Sequence, residues 1–181
     1  MVACFEYRWY QVDANYYEGT AFLTDSGKRI FNFPEQNYQN GVAKNEQTSR
    51  RFKPIVRILK CLKNEMADNG NRGAADIPSY LIECLVWDVP NDGFGHYDYS
   101  SDVRYTIGYL YNETLDFQRC KEWVEINGIK YLFHSSQPWN FTKVNHFLLS
   151  GLSDSQIGEV QRKGSLRRAD GAGRAPLLLQ S

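Results

Sequence analysis

The feature that most constrains the fold of this chain is an amphipathic helix predicted for residues 50–67, RRFKPIVRILKCLKNEMA. At 100° per residue its apolar side chains share one face, which must pack against other elements. They are Phe52, Ile55, Val56, Leu59, Leu62 and Met66. Thr48 or Ser49 can cap this helix, Pro54 is tolerated in its first turn, and Asn69-Gly70 ends it. We therefore expect a packed core built around this helix.

The N-terminal region predicts antiparallel strands. The aromatic residues of FEYRWY, positions 5–10, recur with the period of two that a half-buried strand requires. Residues 17–24 and 28–33 flank the turn Asp25-Ser26-Gly27 and are typical of a hairpin. Residues 34–49, PEQNYQNGVAKNEQTS, are rich in Asn, Gln and Gly and predict an irregular polar loop.

The rest of the chain predicts mainly helices. We expect helices at residues 78–88, 102–115 and 138–152, the first of them with Pro78 at its start. Between the last two, WVEINGIKYLF at 123–133 places Asn127-Gly128 between two alternating runs, which is a strong hairpin signal. The predicted fold class is therefore α+β, with N-terminal antiparallel strands followed by a helical lobe that carries one late β-hairpin.

Charge and hydropathy exclude several classes of protein. The chain has 21 basic and 21 acidic residues, but residues 162–181 hold five of the basic residues and only one acid. Because the remainder is net acidic, a generally basic protein that coats nucleic acid is excluded. The Arg- and Gly-rich tail at 162–181 predicts disorder. No run of about 20 apolar residues and no CxxC pair occurs, so we expect a cytoplasmic protein without a membrane partner.

Basic residues of the predicted helix form a stripe beside its apolar face. Arg50, Lys53, Arg57 and Lys60 fall within about 80° of one another. Like charges this close repel one another, and an anionic ligand such as a polyphosphate would relieve that repulsion. The alternative is a solvated flank whose charges pair with acidic residues elsewhere in the chain.

A second candidate anion site lies at Ile77-Pro78-Ser79-Tyr80. It would put Ser79 and Tyr80 in the first turn of a helix, where free backbone N–H groups and the helix dipole favour anions. A serine hydroxyl there can donate to a phosphate, and a tyrosine ring can stack on a base. The alternative is that Ser79 caps the helix and Tyr80 belongs to the core.

Two long segments carry a resemblance to a known family. NFPEQNYQNGVAKNEQTSRRFKPIVRILKCLKNEM and IPSYLIECLVWDVP resemble the later half of bacterial cGAS/DncV-like nucleotidyltransferases, which share a fold with oligoadenylate synthases and poly(A) polymerases. FEYRWYQ, YYEGTAF and WVEINGIKYLF also fit, so the resemblance extends over roughly residues 3–150. It implies a partial nucleotidyltransferase sheet at 1–34 and a helical nucleotide-binding lobe at 35–161, followed by the tail at 162–181.

The resemblance also implies roles for individual residues. In that family a lysine on the first long helix and a serine opening the next helix bind the donor triphosphate, and an adjacent aromatic residue stacks on the base. These roles fall on Lys60, Ser79 and Tyr80, with Arg57 or Lys53 also reaching the polyphosphate.

The metal site that the resemblance implies has no counterpart in this chain. The family binds two metal ions, Mg²⁺ in the complete enzyme, through three acidic residues, two of which follow an early Gly-Ser turn. Here Gly-Ser occurs only at Gly164-Ser165, and Ala3-Cys4-Phe5-Glu6 already matches the segment that follows the third acid. We therefore expect no catalytic or metal-binding residue in this chain, and no zinc site, because His96, His134 and His146 share no ligand spacing with one another or with any cysteine.

Two functional hypotheses follow. The leading one is the C-terminal portion of a nucleotidyltransferase that makes cyclic or linear oligonucleotides from nucleoside triphosphates in antiviral defence. Such a chain would be inactive alone and would belong with a missing or separately encoded N-terminal half. The alternative is a non-catalytic module that binds nucleotides, RNA or a partner protein through the basic stripe and tail. RNA is the less favoured ligand, and its binding would weaken steeply with salt.

Overall fold

The described part of the chain begins with a three-stranded antiparallel sheet. A computed structural model describes residues 4–151. The strands are β1 (Phe5–Tyr10), β2 (Tyr16–Leu23) and β3 (Arg29–Asn32), in the order β1-β2-β3. Gly27, in the turn between β2 and β3, has φ +79°, a conformation that glycine adopts without strain. The N-terminal strands and their hairpin are therefore confirmed.

Phe33 links the sheet to the helices. Its side chain is fully buried directly after β3, with its ring centroid 6.1 Å from those of Tyr7 and Trp9. It lies against Gly19 of β2, where an added Cβ would come within 2.5 Å of the Asn32 carbonyl oxygen and 2.9 Å of the Phe33 ring. Only glycine at position 19 therefore lets Phe33 pack this closely onto the sheet.

The loop predicted for residues 34–49 is wrong, because most of that segment is helix α1 (Pro34–Gln47). Pro34 lies in the first turn and Glu35 is favourable near the N-terminal dipole, which are both signals of a helix start. Near the other end Lys44 is buried, and its Nζ donates to the Val89 carbonyl. The buried Phe33 before the helix and the buried Lys44 near its end thus hold α1 in place, although its polar sequence shows little apolar periodicity.

Helix α2 (Phe52–Asp68) is the predicted amphipathic helix, and all six of its predicted core residues are buried. Thr48 supports its start, since its Oγ1 accepts from the Phe52 N–H at 3.1 Å. Ser49 and Arg50 both have positive φ, 50° and 63°, and form the corner between α1 and α2. Arg50 therefore precedes the helix, so the stripe on α2 consists of Lys53, Arg57 and Lys60.

The remaining helices surround α2. They are α3 (Arg72–Ala75), α4 (Ser79–Asp88), α5 (Tyr99–Glu113), α6 (Phe117–Cys120) and α7 (Phe141–Gly151), with a 3₁₀ turn at Asn91–Gly93. The three helices predicted in this region are confirmed with shifted ends. Helix α5, for example, starts three residues earlier than predicted because Asp98 caps it, accepting from the Ser101 N–H at 2.8 Å. The single-turn helices α3 and α6 were not predicted.

The late hairpin is present in minimal form. The chain reverses at Asn127-Gly128, where Gly128 has φ +69°, but the arms share only the bridge Val124↔Tyr131. Two backbone bonds flank it, from the Glu125 N–H to Lys130 O and from the Leu132 N–H to Trp123 O, each 2.8 Å. Trp123, Ile126 and Leu132 of its arms are buried, while Tyr131 stays exposed. The arms therefore form a short connection packed on one side and not an extended ribbon.

The whole described chain is α+β, as predicted. Helices α2, α4, α5 and α7 enclose the main apolar core. Between residues 4 and 151, no helix is long and apolar enough to cross a bilayer. The predicted lobe end at residue 161 and the predicted disorder of 162–181 lie outside the described residues.

Candidate functional site

A groove of about 300 Å³ lies between α1 and α2, closed at its end by α4 and the late hairpin. We call it the basic groove, because three of the four basic residues in the predicted stripe line it. Its lining residues are Asn37, Tyr38, Gly41, Val42, Phe52, Lys53, Val56, Arg57, Lys60, Glu83 and Ile126. Spacings of four and three residues put the three cations on one side of α2. A concave surface with convergent cations is suited to an anionic ligand.

The three cations of the basic groove differ in their surroundings. Lys60 is half-buried, and its Nζ forms an ion pair with the carboxylate of Glu83 on α4. Lys53 and Arg57 are exposed, and neither forms an ion pair with a carboxylate in the described range. Of the alternative, a solvated flank whose charges pair with acidic residues, the pairing is present for Lys60, whereas Lys53 and Arg57 are solvated and make no such pair in this range. Two positive charges remain free to meet a ligand.

Ser79 is exposed at the first position of α4 and is not among the residues that line the basic groove. The N-cap is Pro78, which makes no side-chain cap bond, so Ser79 is not the cap residue. Ser79 lies one helical turn before Glu83, which does line the groove. The serine side chain is therefore exposed to solvent and does not contribute to the lining of the groove.

Tyr80 is half-buried behind the wall of the basic groove. Its hydroxyl lies 3.1 Å from Asn37 Oδ1, in the groove wall, and 3.0 Å from Glu125 Oε2. Its ring centroid is 6.5 Å from that of Trp139. Burial, with the nearby Cys84 and Glu125, raises the pKa of Tyr80 far above its ordinary value, so the phenol stays protonated and acts as a donor.

The structure adds site residues that the sequence interpretation missed. Asn37, Tyr38 and Gly41 belong to α1, the segment predicted to be a loop, and Glu83 faces Lys60 from α4. The Pro34-Glu35 start signal was the available evidence for a helix there. No local pattern marks Glu83, because its role depends on how α4 packs against α2.

The described residues do not fit a metal site. From residue 4 to residue 151, no group of three or more His, Cys, Asp or Glu side chains is arranged to hold a metal ion. Within this described range, Glu83 is the only acid that lines the basic groove, and its carboxylate is engaged by Lys60. These described residues therefore offer no set of three acids that could hold Mg²⁺.

Comparisons of the sequence with known proteins give one consistent family. A model described as the cGAS/DncV-like nucleotidyltransferase C-terminal helical domain matches residues 39–153. The cyclic dipyrimidine nucleotide synthase CdnE of Legionella pneumophila is 51% identical over 135 residues, which cover 75% of this chain and 44% of the relative. The protein of the same name from Cecembia lonarensis is 41% identical over 150 residues, 82% of this chain and 51% of the relative. The chain thus spans about half the length of these curated relatives.

Solved structures of similar proteins share the fold. The CdnE cyclic dinucleotide synthase of Elizabethkingia meningoseptica, solved with GTP and Apcpp, aligns with a TM-score of 0.74 and 32% identity over 81% of this chain and 53% of that one. The Rhodothermus marinus CdnE c-UMP-AMP synthase, solved with Apcpp and Upnpp, aligns with a TM-score of 0.71 and 26% identity over 97% of this chain and 55% of that one. Both structures contain nucleoside triphosphates or their analogues.

Proposed function

Since this chain belongs to the cGAS/DncV-like nucleotidyltransferases, as their C-terminal region, we propose that it binds the triphosphate of a nucleotide substrate in an enzyme that makes cyclic or linear oligonucleotides. The observation that carries the proposal is the basic groove, where Lys53 and Arg57 have no acidic partner among residues 4–151. The nucleotide analogues bound by the solved relatives support the same ligand class. A role in antiviral defence is part of this proposal and is supported by the family alone.

The proposed reaction joins two nucleotides. A ribose hydroxyl releases its proton to solvent and attacks the α-phosphate of a nucleoside triphosphate, a new O–P bond forms, and the bond to the leaving pyrophosphate breaks. Lys60, Arg57 and Lys53 bind the polyphosphate, where positive charge offsets the charge on the leaving group. Ser79 donates to a phosphate from the start of α4, and Tyr80 contacts the base.

The metal ligands are proposed to lie outside this chain. Mg²⁺, when bound by the complete enzyme, would neutralise phosphate charge and activate the attacking hydroxyl. The chain spans about half the length of its relatives and lacks a Gly-Ser turn followed by two spaced acids in its strand-rich start. We therefore propose that residues 1–34 complete the sheet of an N-terminal catalytic half, that residues 35–161 form the nucleotide-binding lobe, and that the chain is inactive alone.

Titration of the chain with ATP, GTP and UTP by calorimetry tests this assignment. Lys60→Ala combined with Ser79→Ala should weaken binding about tenfold or more, because charge-assisted hydrogen bonds to phosphate are lost. Lys63→Ala is the matched control, since Lys63 is also on α2 but does not line the groove. Unchanged nucleotide affinity in the double variant would show that the assigned site is wrong.

The same titrations separate nucleotide binding from RNA binding. If the basic groove and the tail at 162–181 bound RNA, the affinity of the chain for a short RNA oligonucleotide would exceed its affinity for ATP and would fall steeply as the salt concentration rises. Deletion of 162–181 would then weaken binding strongly, whereas the nucleotide proposal predicts little change. The RNA-binding alternative can therefore be tested and rejected with the same set of variants.

A further inference from the structure

We propose that Glu125 is a positioning residue that holds Tyr80 against the wall of the basic groove and so pre-orients the tyrosine ring for a nucleotide base. This inference rests on the proposed function and names a residue that acts on that same site through another side chain. Glu125 lies on the late hairpin, 45 positions along the chain from Tyr80. Neither residue type nor spacing singles it out in the sequence.

The carboxylate of Glu125 is buried and fully engaged. The residue is 3% exposed, and its Oε2 accepts from the Tyr80 hydroxyl at 3.0 Å and from Asn127 Nδ2 at 2.8 Å. Its Oε1 accepts from Gln137 Nε2 at 2.6 Å and pairs with Lys130 Nζ at 2.9 Å. Because two donors hold each oxygen, the carboxylate has one well-defined orientation.

That fixed carboxylate in turn constrains Tyr80. A hydroxyl anchored at its tip, on a ring flanked by Trp139, leaves the side chain little torsional freedom. The same hydroxyl is within 3.1 Å of Asn37 Oδ1, and Asn37 lines the basic groove. Glu125 and the groove residue Asn37 thus meet at the same hydroxyl, and Glu125 sets the position of Tyr80 relative to the groove through it.

Pre-orientation of this kind has a distinct signature in binding. A nucleotide that stacks on an already oriented ring need not order that side chain, so its affinity rises. Inorganic tripolyphosphate reaches only the cations and gains nothing from Tyr80. A carboxylate that merely stabilised the fold would affect both ligands alike, or neither.

The test compares Glu125→Gln and Tyr80→Phe in the full chain, titrated with ATP, UTP and tripolyphosphate. Tyr80→Phe keeps the ring but removes its anchor. We expect either variant to weaken nucleotide binding about threefold to tenfold, with tripolyphosphate binding unchanged. We expect the double variant to be no weaker than either single one, because both act through one hydrogen bond. Glu122→Gln is the matched control, since it makes the same acid-to-amide change at an exposed position outside the groove.

The outcomes are distinguishable. If the unmodified chain binds no nucleotide, the proposed function and this inference fail together. If it binds nucleotide but Tyr80→Phe binds equally well, the inference alone fails. Equal weakening of ATP and tripolyphosphate binding, additive effects in the double variant, or the same nucleotide-selective loss in Glu122→Gln would also overturn it. Tyr80→Phe keeps the inference testable should Glu125→Gln fail to fold.

Discussion

Single residues set the charge of the basic groove. Glu83 is the acid that lines it, and its carboxylate is paired with Lys60 across α2 and α4. A polyphosphate that binds Lys60 must compete with this carboxylate. Since the pair is partly exposed, the competition is worth about 1 kcal/mol or less.

We predict that Glu83→Gln raises the affinity of the chain for ATP and for tripolyphosphate. Removal of the competing charge should tighten binding by about twofold to fivefold at low salt, with a smaller gain at 300 mM salt. Glu122→Gln is the control, because it changes net charge equally at an exposed position outside the groove. Weaker binding by Glu83→Gln would instead mean that Glu83 holds Lys60 where the ligand needs it.

Asp88, at the end of α4, makes stability depend on pH. Burial raises the pKa of its carboxyl to about 8, and its Oδ2 has no hydrogen-bond partner in the described structure. The nearby Lys44 ammonium opposes this shift, and burial in turn lowers the pKa of Lys44. Between about pH 4 and pH 8 the folded chain keeps a proton on Asp88 that the unfolded chain has released. The free energy of unfolding therefore decreases as pH rises through this window.

We predict that Asp88→Asn flattens this dependence. The amide cannot ionise. From pH 5 to pH 8 the free energy of unfolding of the variant, relative to that of the unmodified chain, should therefore rise by at least about 1.4 kcal/mol, the equivalent of one pKa unit. Urea unfolding at several pH values measures the difference. Parallel pH profiles for the two proteins would contradict the assignment of a raised pKa to Asp88.

At the scale of secondary-structure elements, α1 supplies a wall of the basic groove. Gly41 lies in its interior, and a Cβ added there would meet no atom within 4 Å. Packing within the chain therefore does not require glycine at this position, although glycine weakens a helix. Gly41 also lines the basic groove, where a ligand would approach the backbone.

We predict that Gly41→Ala raises the stability of the chain while it lowers its affinity for nucleotides. Alanine should stabilise α1 by up to about 1 kcal/mol while its methyl group narrows the groove and weakens nucleotide binding. Gly108→Ala is the matched control, because Gly108 is also inside a helix with no atom within 4 Å of an added Cβ, but it lies in α5 away from the groove. Thermal unfolding and ATP titration of both variants provide the test; equal binding by both would exclude a ligand at Gly41.

The elements also differ in how well the sequence predicted them. Helix α2 has a continuous apolar face, so its periodicity predicted every buried residue on it. Helix α1 has no such face, and Phe33 at one end and the buried Lys44 at the other hold it in place. Its position therefore depends on partners distant in the chain, which local periodicity does not report.

At the scale of the whole molecule, the late hairpin connects the sheet with the helices. Lys130 Nζ donates to the Phe31 carbonyl at 3.4 Å, and the Ile126 carbonyl accepts from Asn40 Nδ2 at 2.6 Å. The hairpin thus touches β3, α1 and the basic groove together. Large side chains on the sheet remain exposed, among them Phe5 at 68% and Tyr10 at 61%, and the proposed N-terminal half would cover such a surface.

The sequence by itself determined which segments form β1 and α2 and which side of each element a residue occupies, because local spacing controls these features. Alternating aromatic residues specified β1, the apolar period specified the buried face of α2, and spacings of four and three residues put Lys53, Arg57 and Lys60 on one side of it. Tertiary structure alone decided that α1 completes the groove, that Glu83 pairs with Lys60, and that Glu125 reaches Tyr80. The physical reason is that periodicity fixes which side of an element a residue occupies, whereas burial, pairing and orientation depend on which elements pack together.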